Sequence, residues 1–118
     1  FNAVKFSVCI CDFWATVTYE IMADLLTIVT GKEWSPEDMG EVGRRVINIA
    51  RAFNQREGFD RKDDTVPPRI VKEALATGPA AGQMIPQEAF DDMLNQYYDV
   101  MGWDENGRMP DELIQSLL

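Results

Sequence analysis

Two thiols, Cys9 and Cys11, stand one residue apart near the start of a 118-residue chain that contains no histidine. Histidine is the usual general base and the commonest transition-metal ligand, so its absence counts against a self-contained hydrolase or zinc enzyme. Two cysteines at this spacing make no disulfide framework. They read either as small buried hydrophobes or as ligands of a metal or an iron–sulfur cluster. A cubane cluster takes four cysteine thiolates. This chain has two, so the other ligands of such a cluster must come from sequence outside it. Two acidic pairs could also do acid–base work. Neighbouring residues on a helix point about 100° apart, so Asp91 and Asp92 read as surface groups. Asp63 and Asp64 lie among arginines and read as ion-pair partners.

Those arginines belong to a dense charged stretch, residues 53–69. Arg56, Glu57, Arg61, Lys62, Asp63, Asp64 and Arg69 surround Gly58 and the pair Pro67-Pro68. Its composition predicts a loop cross-tied by ion pairs that holds the flanking helices. Charge is uneven along the chain. Residues 43–72 carry eight of the eleven bases and four acids, a balance of +4, against −13 for the rest. A net charge of −9 argues against a nucleic-acid backbone as partner. The +4 segment suits internal ion pairing, a buried anionic ligand or contact with another domain.

The elements that must position these residues read as helices. A chain this long forms one domain able to bury roughly two thirds of its unfolded surface. Its apolar runs fall short of the ~20 residues a membrane span needs, and no secretion signal is visible. The chain begins at Phe1, which suggests a fragment, so a missing targeting signal says little. Val4, Phe6, Val8 and Ile10 alternate with Lys5, Ser7, Cys9 and Cys11, which predicts an extended lead-in. A helix over about 13–29 follows, capped by Asp12 and closed by Gly31. Its stripe is Trp14, Val17, Ile21, Leu25 and Ile28, widened by Met22, Leu26 and Val29, so it should be buried over much of its girth. Ser35-Pro36-Glu37-Asp38 is a capping-box start. Met39, Val42, Val46, Ile49 and Phe53 carry that helix to about Arg56. Gly40 and Gly43 inside it suit a close approach of another backbone. A short helix over about 68–75, a loop over 76–85, a helix over 86–101 ended by Gly102, a turn at 104–107 and a last short helix from Pro110 complete the chain. The apolar stripe of the 86–101 helix is Phe90, Met93, Leu94, Tyr97 and Met101. The fold class is all-α, a multihelical single domain, 1–118, of four to five helices.

The run Arg51-x-Phe53-Asn54-x-Arg56-Glu57-Gly58-Phe59-x-Arg61-x-Asp63-Asp64-x-x-Pro67-x-Arg69 resembles the hallmark near the C-terminus of the aldehyde ferredoxin oxidoreductase family. These are tungsten- or molybdenum-containing bis-pterin enzymes. Three further segments agree in order: Thr30-Gly31-x-x-Trp34 followed by Pro36-Glu37; Met93-Leu94-x-x-Tyr97-Tyr98-x-x-x-Gly102-Trp103-Asp104-x-x-Gly107; and Pro110-x-x-Leu113 in the terminal helix. The resemblance covers about the whole chain.

It implies a fragment of a larger oxidoreductase, its C-terminal helical domain, with aldehydes oxidised to carboxylic acids at the metal. Electrons would leave through a [4Fe–4S] cluster to ferredoxin. Three cluster cysteines are expected in a preceding domain of the same enzyme. The fourth lies in an Asp-x-x-Gly-Leu-Cys run that also contacts a pterin. Aligned here, that run is Phe6 to Cys11, so Cys11 is the implied metal ligand and Cys9, Ile10 and Cys11 the implied cofactor-binding residues. Phe6 replaces the family's aspartate and Cys9 its glycine. A slip of two residues in register would make Cys9 the ligand. No catalytic side chain is expected in this chain, and the isolated chain should be inactive. Arg56, Arg61 and Arg69 read as structural first and ligand-facing second. Phe13 and Trp14 would help keep the cluster dry. The implied partners are the preceding domains, ferredoxin and a small aldehyde, with no nucleic acid, no membrane and a homodimer allowed. The implied compartment is the reducing cytoplasm. The rival readings are a non-catalytic helical interaction domain, or a small subunit, that kept the fold without the cofactor.

Overall fold

The computed structural model describes residues 1–117. Among them the regular elements are all helices: α1 (Asn2–Ser7), α2 (Tyr19–Thr30), α3 (Pro36–Arg56), α4 (Pro68–Lys72), α5 (Gln87–Met101) and α6 (Asp111–Gln115). The all-α expectation holds, with six helices in place of four or five. Two compact units are present, Phe1–Arg51 and Ala52–Ser116.

The extra helix in the first unit is α1, where an extended lead-in is expected from sequence. Over so short a run, alternation also places Val4 and Val8 at i and i+4, one face of a helix. Val8 N–H closes that turn on Val4 O at 3.1 Å, and Val4 is fully buried while Phe6 is half exposed.

α2 begins at Thr18, whose hydroxyl accepts Ile21 N–H at 3.4 Å, and not at Asp12. It ends as expected on Gly31, in the left-handed conformation at φ +70°. Its buried residues are Met22 and Ala23. Ile28 and Val29 are about four-fifths exposed, at 78% and 81%. The helix is therefore buried on one face, not over most of its girth. Thr30 organises the turn into α3: its hydroxyl accepts Trp34 Nε1–H at 3.2 Å and Lys32 N–H at 3.3 Å, and Trp34 N–H donates to Thr27 Oγ1 at 3.0 Å. The residues of the Thr-Gly-x-x-Trp signature thus build one helix–helix turn.

α3 has the bounds expected from sequence, and its capping box is formed. Asp38 N–H donates to Ser35 Oγ at 3.1 Å, while Ser35 N–H and Oγ–H donate to Asp38 Oδ2 at 2.8 and 2.9 Å. The Ser35 backbone N–H, then its hydroxyl, hold the Asp38 carboxyl below its ordinary value of 3.8. A carboxyl with a lowered folded value stabilises the fold above the unfolded value, and this contribution is lost as pH falls through the folded value. Resistance to urea should therefore fall below about pH 4, and Asp38→Asn should show a shallower loss than the parent between about pH 5 and 3. Equal slopes would remove Asp38 from the acid response.

The buried face of α3 carries Met39, Gly43, Asn48 and Arg51; Ile49 and Phe53, from the expected stripe, are about half exposed. Gly43 does meet a neighbour: a Cβ there would lie 3.7 Å from Val4 Cβ, an ordinary contact, whereas Gly40 faces open space. Val4, Val17, Met22, Ala23 and Met39 form the core of this unit, with Val8, Ile10, Tyr19, Leu26, Trp34 and Val42 packed against it.

In the second unit the buried side chains include Tyr98, Met101, Trp103 and Met109. α5 starts after Pro86 and stops at Gly102, φ +74°. It buries Tyr98 with Met101, while Met93 and Tyr97, expected inside, are 52% and 43% exposed. The turn after it is closed by Asp104, whose Oδ1 accepts Asn106 N–H at 2.9 Å and Arg108 N–H at 2.8 Å. Gln55 then pairs with the Met109 backbone, accepting its N–H at 2.7 Å and donating to its carbonyl at 3.4 Å.

Candidate cluster-ligand loop

Residues 8–18 link α1 to α2 and carry both thiols. Both are free and exposed, so neither is the small buried hydrophobe that the plainer sequence reading allowed. The chain turns out of α1 through Cys9 N–H, which donates to Phe6 O at 3.0 Å. Cys9 itself sits at φ +58°, the left-handed region. That is the conformation glycine adopts freely and a side chain adopts at a cost of about 1–2 kcal/mol. The position where the family resemblance expects glycine is therefore one whose backbone suits glycine. Cys9→Gly should raise unfolding stability by up to about 1 kcal/mol, and β-branched Cys9→Val should lower it. Opposite signs in urea unfolding would contradict this conformation.

Beyond Cys9 the loop is held by hydrogen bonds. Ile10 N–H donates to Lys5 O at 3.1 Å, and Trp14 N–H donates to Cys11 O at 3.2 Å. Lys5 is 4% exposed, and its Nζ donates to Asp12 O at 2.8 Å and Trp14 O at 3.3 Å. Ile10 is partly buried against the core. Phe13 and Trp14 project at 95% and 46% exposure. The result is a short loop, tied from below, that leaves both thiols exposed beside the apolar side chains of Phe13 and Trp14 in sequence. Lys5 was not singled out by sequence reasoning. The available signal was a lone lysine inside the apolar run Ala3-Val4-Lys5-Phe6.

Cys9 and Cys11 each offer a soft thiol ligand, and among the described residues no group of three His, Cys, Asp or Glu gathers to hold a metal. An exposed thiol on a fixed loop fits one corner of a [4Fe–4S] cluster whose other three thiolates lie elsewhere. The pterin contact fits less well. Phe6, at the family's aspartate position, is 52% exposed and has no acceptor to offer.

The charged loop is in the second unit, and its ion pairs are mostly local. Arg56 reaches Glu57 at 3.0 Å, Lys62 reaches Asp60 at 3.0 Å and Asp63 at 3.8 Å, and Arg69 reaches Glu73 at 3.4 Å. The Lys62 ammonium holds the Asp60 carboxyl below its usual range, and Asp60 in turn raises Lys62. Exposed pairs of this kind add little to stability, because solvent screens them. The longer-range tie is made by two other residues. Arg61 N–H donates to Asn106 O at 2.9 Å and its Nη1 to Glu105 O at 3.2 Å. Asp64 Oδ2 accepts the Tyr98 hydroxyl at 2.5 Å. Arg61 and Asp64 thus tie the loop by hydrogen bonds to backbone carbonyls and a tyrosine hydroxyl, where the sequence led us to expect ion pairs.

Residues 1–118 match the family model described as aldehyde ferredoxin oxidoreductase, domains 2 and 3. The chain belongs to the aldehyde ferredoxin oxidoreductase family. Tungsten-containing aldehyde ferredoxin oxidoreductases of Pyrococcus abyssi and Thermococcus kodakarensis are each 37% identical to it over 95 residues, 80% of this chain. A Pyrococcus furiosus protein named aliphatic sulfonate oxidoreductase, WOR-like subunit, is 32% identical over 117 residues, 94% of this chain. The chain spans 15% of the length of the first two and 19% of the third. Among solved structures, the active-site complex of benzoyl-coenzyme A reductase with 1,5-dienoyl-coenzyme A superposes with a TM-score of 0.61 at 23% identity. That match covers 84% of this chain and 14% of the other, and it is a likeness of fold. Within the family, the signature residues of this chain serve turns and ties: Thr30, Gly31 and Trp34 after α2, Asp64 with Tyr98, and Gly102 and Asp104 after α5.

Proposed function

We propose that this chain is the C-terminal helical domain, residues 1–118, of a tungsten- or molybdenum-pterin oxidoreductase that oxidises aldehydes to carboxylic acids. It would pass the electrons through a [4Fe–4S] cluster to ferredoxin. The observation that carries this reading is the exposed Cys11 thiol on a tied loop, in a chain that belongs to a family with tungsten-containing members. The metallopterin supplies the redox chemistry and the protein supplies position and electrostatics. Cys11 holds one corner of the cluster, and Cys9 and Ile10 form the backbone beside the cofactor. Phe13 and Trp14 exclude water around the thiolate. The preceding domains provide the other three thiolates. No side chain of this chain performs the oxidation, and the isolated chain is inactive. The enzyme works in the cytoplasm, where free thiols and clusters persist, without membrane or nucleic-acid partners and with a homodimer as one assembly it could adopt.

A second substrate class is favoured by two observations. The relative that matches over 117 residues is named for aliphatic sulfonates, and Phe6 replaces the family's pterin-binding aspartate. Metal analysis and turnover of the full-length protein test both points. The reading expects about four iron atoms with tungsten or molybdenum per chain, and ferredoxin reduction driven by an aldehyde. Turnover with a sulfonate alone would move the substrate class and keep the redox assignment. Protein free of iron, tungsten and molybdenum would leave the non-catalytic interaction domain or small subunit as the function.

A further inference from the structure

The loop that carries Cys11 is fastened on both sides of that residue by Lys5. Before Cys11, the Lys5 carbonyl accepts Ile10 N–H at 3.1 Å. After it, Lys5 Nζ donates to the carbonyls of Asp12 at 2.8 Å and Trp14 at 3.3 Å. An ammonium has three donors, and the Asp12 carboxylate lies 3.8 Å from the same nitrogen. The two ends of this contact differ: the Lys5 side chain is 5% exposed and that of Asp12 66%. Most of the fastening therefore falls on the carbonyls. α1 sets the anchor in place, because Val4 beside it is fully buried and the lysine stem can run along apolar surface to a polar tip.

We infer that Lys5 is a positioning residue, which presets the Cys11 loop for the cluster and adds a fixed positive charge to the cluster's surroundings. The inference rests on the reading of Cys11 as a cluster ligand. A buried ammonium is costly in a low-dielectric interior unless it is hydrogen-bonded, and here two loop carbonyls accept from it with the Asp12 carboxylate 3.8 Å away. A loop already ordered loses less conformational freedom when a ligand binds. A nearby positive charge favours both the thiolate and the more reduced, more negative cluster. It therefore moves the midpoint potential upward.

The test uses the full-length protein and three variants, Lys5→Met, Lys5→Gln and Asp12→Ala. Hydrogen exchange of the cluster-free protein reads the clamp without the cluster. Lys5→Met should lose protection at residues 10–14 by ~10-fold or more, with α2 and α3 unchanged. Asp12→Ala keeps the carbonyl and should behave as the parent. In the loaded protein, Lys5→Met should take up iron more slowly and shift the midpoint potential downward. Lys5→Gln keeps a donor and should recover part of the uptake rate but none of the potential. It also replaces Lys5→Met if that variant does not fold. Parent-like exchange, uptake and potential in Lys5→Met would overturn the inference, and so would an Asp12→Ala effect as large as that of Lys5→Met. A parent protein that never holds iron would overturn the cluster reading instead, and the exchange result would still decide whether Lys5 orders the loop.

Discussion

Replacing Cys11 by serine in the full-length protein should lower its iron from about four per chain to three or fewer, because one of four thiolate ligands is gone. A serine hydroxyl is far less acidic than a thiol and is a harder ligand, so it does not restore the corner iron. The electron paramagnetic resonance signature and the midpoint potential should change with it. Cys9→Ser is the informative partner. Cys9 and Cys11 are both exposed, so accessibility does not separate them; backbone conformation does. Cys9 occupies the turn at φ +58°, a glycine-like role, and its serine variant should retain full iron. The reverse pattern, iron lost with Cys9→Ser and kept with Cys11→Ser, would move the ligand by two residues. Full iron in both would take the cluster away from this chain altogether.

Tyr98→Ala should cost about 3–5 kcal/mol of stability, the range for deleting a large buried aromatic. Tyr98 is 2% exposed. Its ring lies 5.7 Å from that of Trp103, and the Arg61 guanidinium stands 5.4 Å from the ring centre. Its hydroxyl donates to Asp64 at 2.5 Å. The alanine variant thus leaves a cavity and withdraws a hydrogen bond from a carboxylate. Tyr98→Phe separates the two effects. It keeps the ring and should cost about 1.5–3 kcal/mol, the usual contribution of a hydrogen bond to a charged group. Urea unfolding measures both. If Tyr98→Phe were as destabilising as Tyr98→Ala, the hydroxyl and not the ring would dominate the tie between α5 and the charged loop.

Where the sequence carried explicit punctuation, the elements were legible in it. Ser35-Pro36 with Asp38 marks the start of α3 without ambiguity, because a capping box and a proline at the first helical position agree. Gly31 and Gly102 end α2 and α5 for the same kind of reason: each is a left-handed cap. The start of α2 was not legible. Asp12 and Thr18 are both good caps by type, and what separates them is tertiary: Lys5 takes the Asp12 carbonyl. The buried face of α2 was hidden because Met22, Leu25, Leu26, Ile28 and Val29 put apolar groups around most of the helix, so periodicity could not choose between faces. In the candidate site, residue type pointed to both cysteines, and the choice of Cys11 over Cys9 came from the resemblance alone. The exposure of its thiol, the left-handed turn at Cys9 and the grip of Lys5 depend on contacts across 5–9 residues that no local pattern reports.

The apolar side chains left outside have a thermodynamic consequence. Ile28, Val29, Phe13 and Val100 are between 66% and 95% exposed in the folded chain. Unfolding uncovers little additional surface on such groups. Denaturant sensitivity and the heat-capacity increment both scale with the area newly exposed. Studied alone, this chain should therefore unfold with a shallow urea slope and a small heat-capacity change for its length. Its stability curve would be flatter with temperature than that of a self-sufficient domain of equal size.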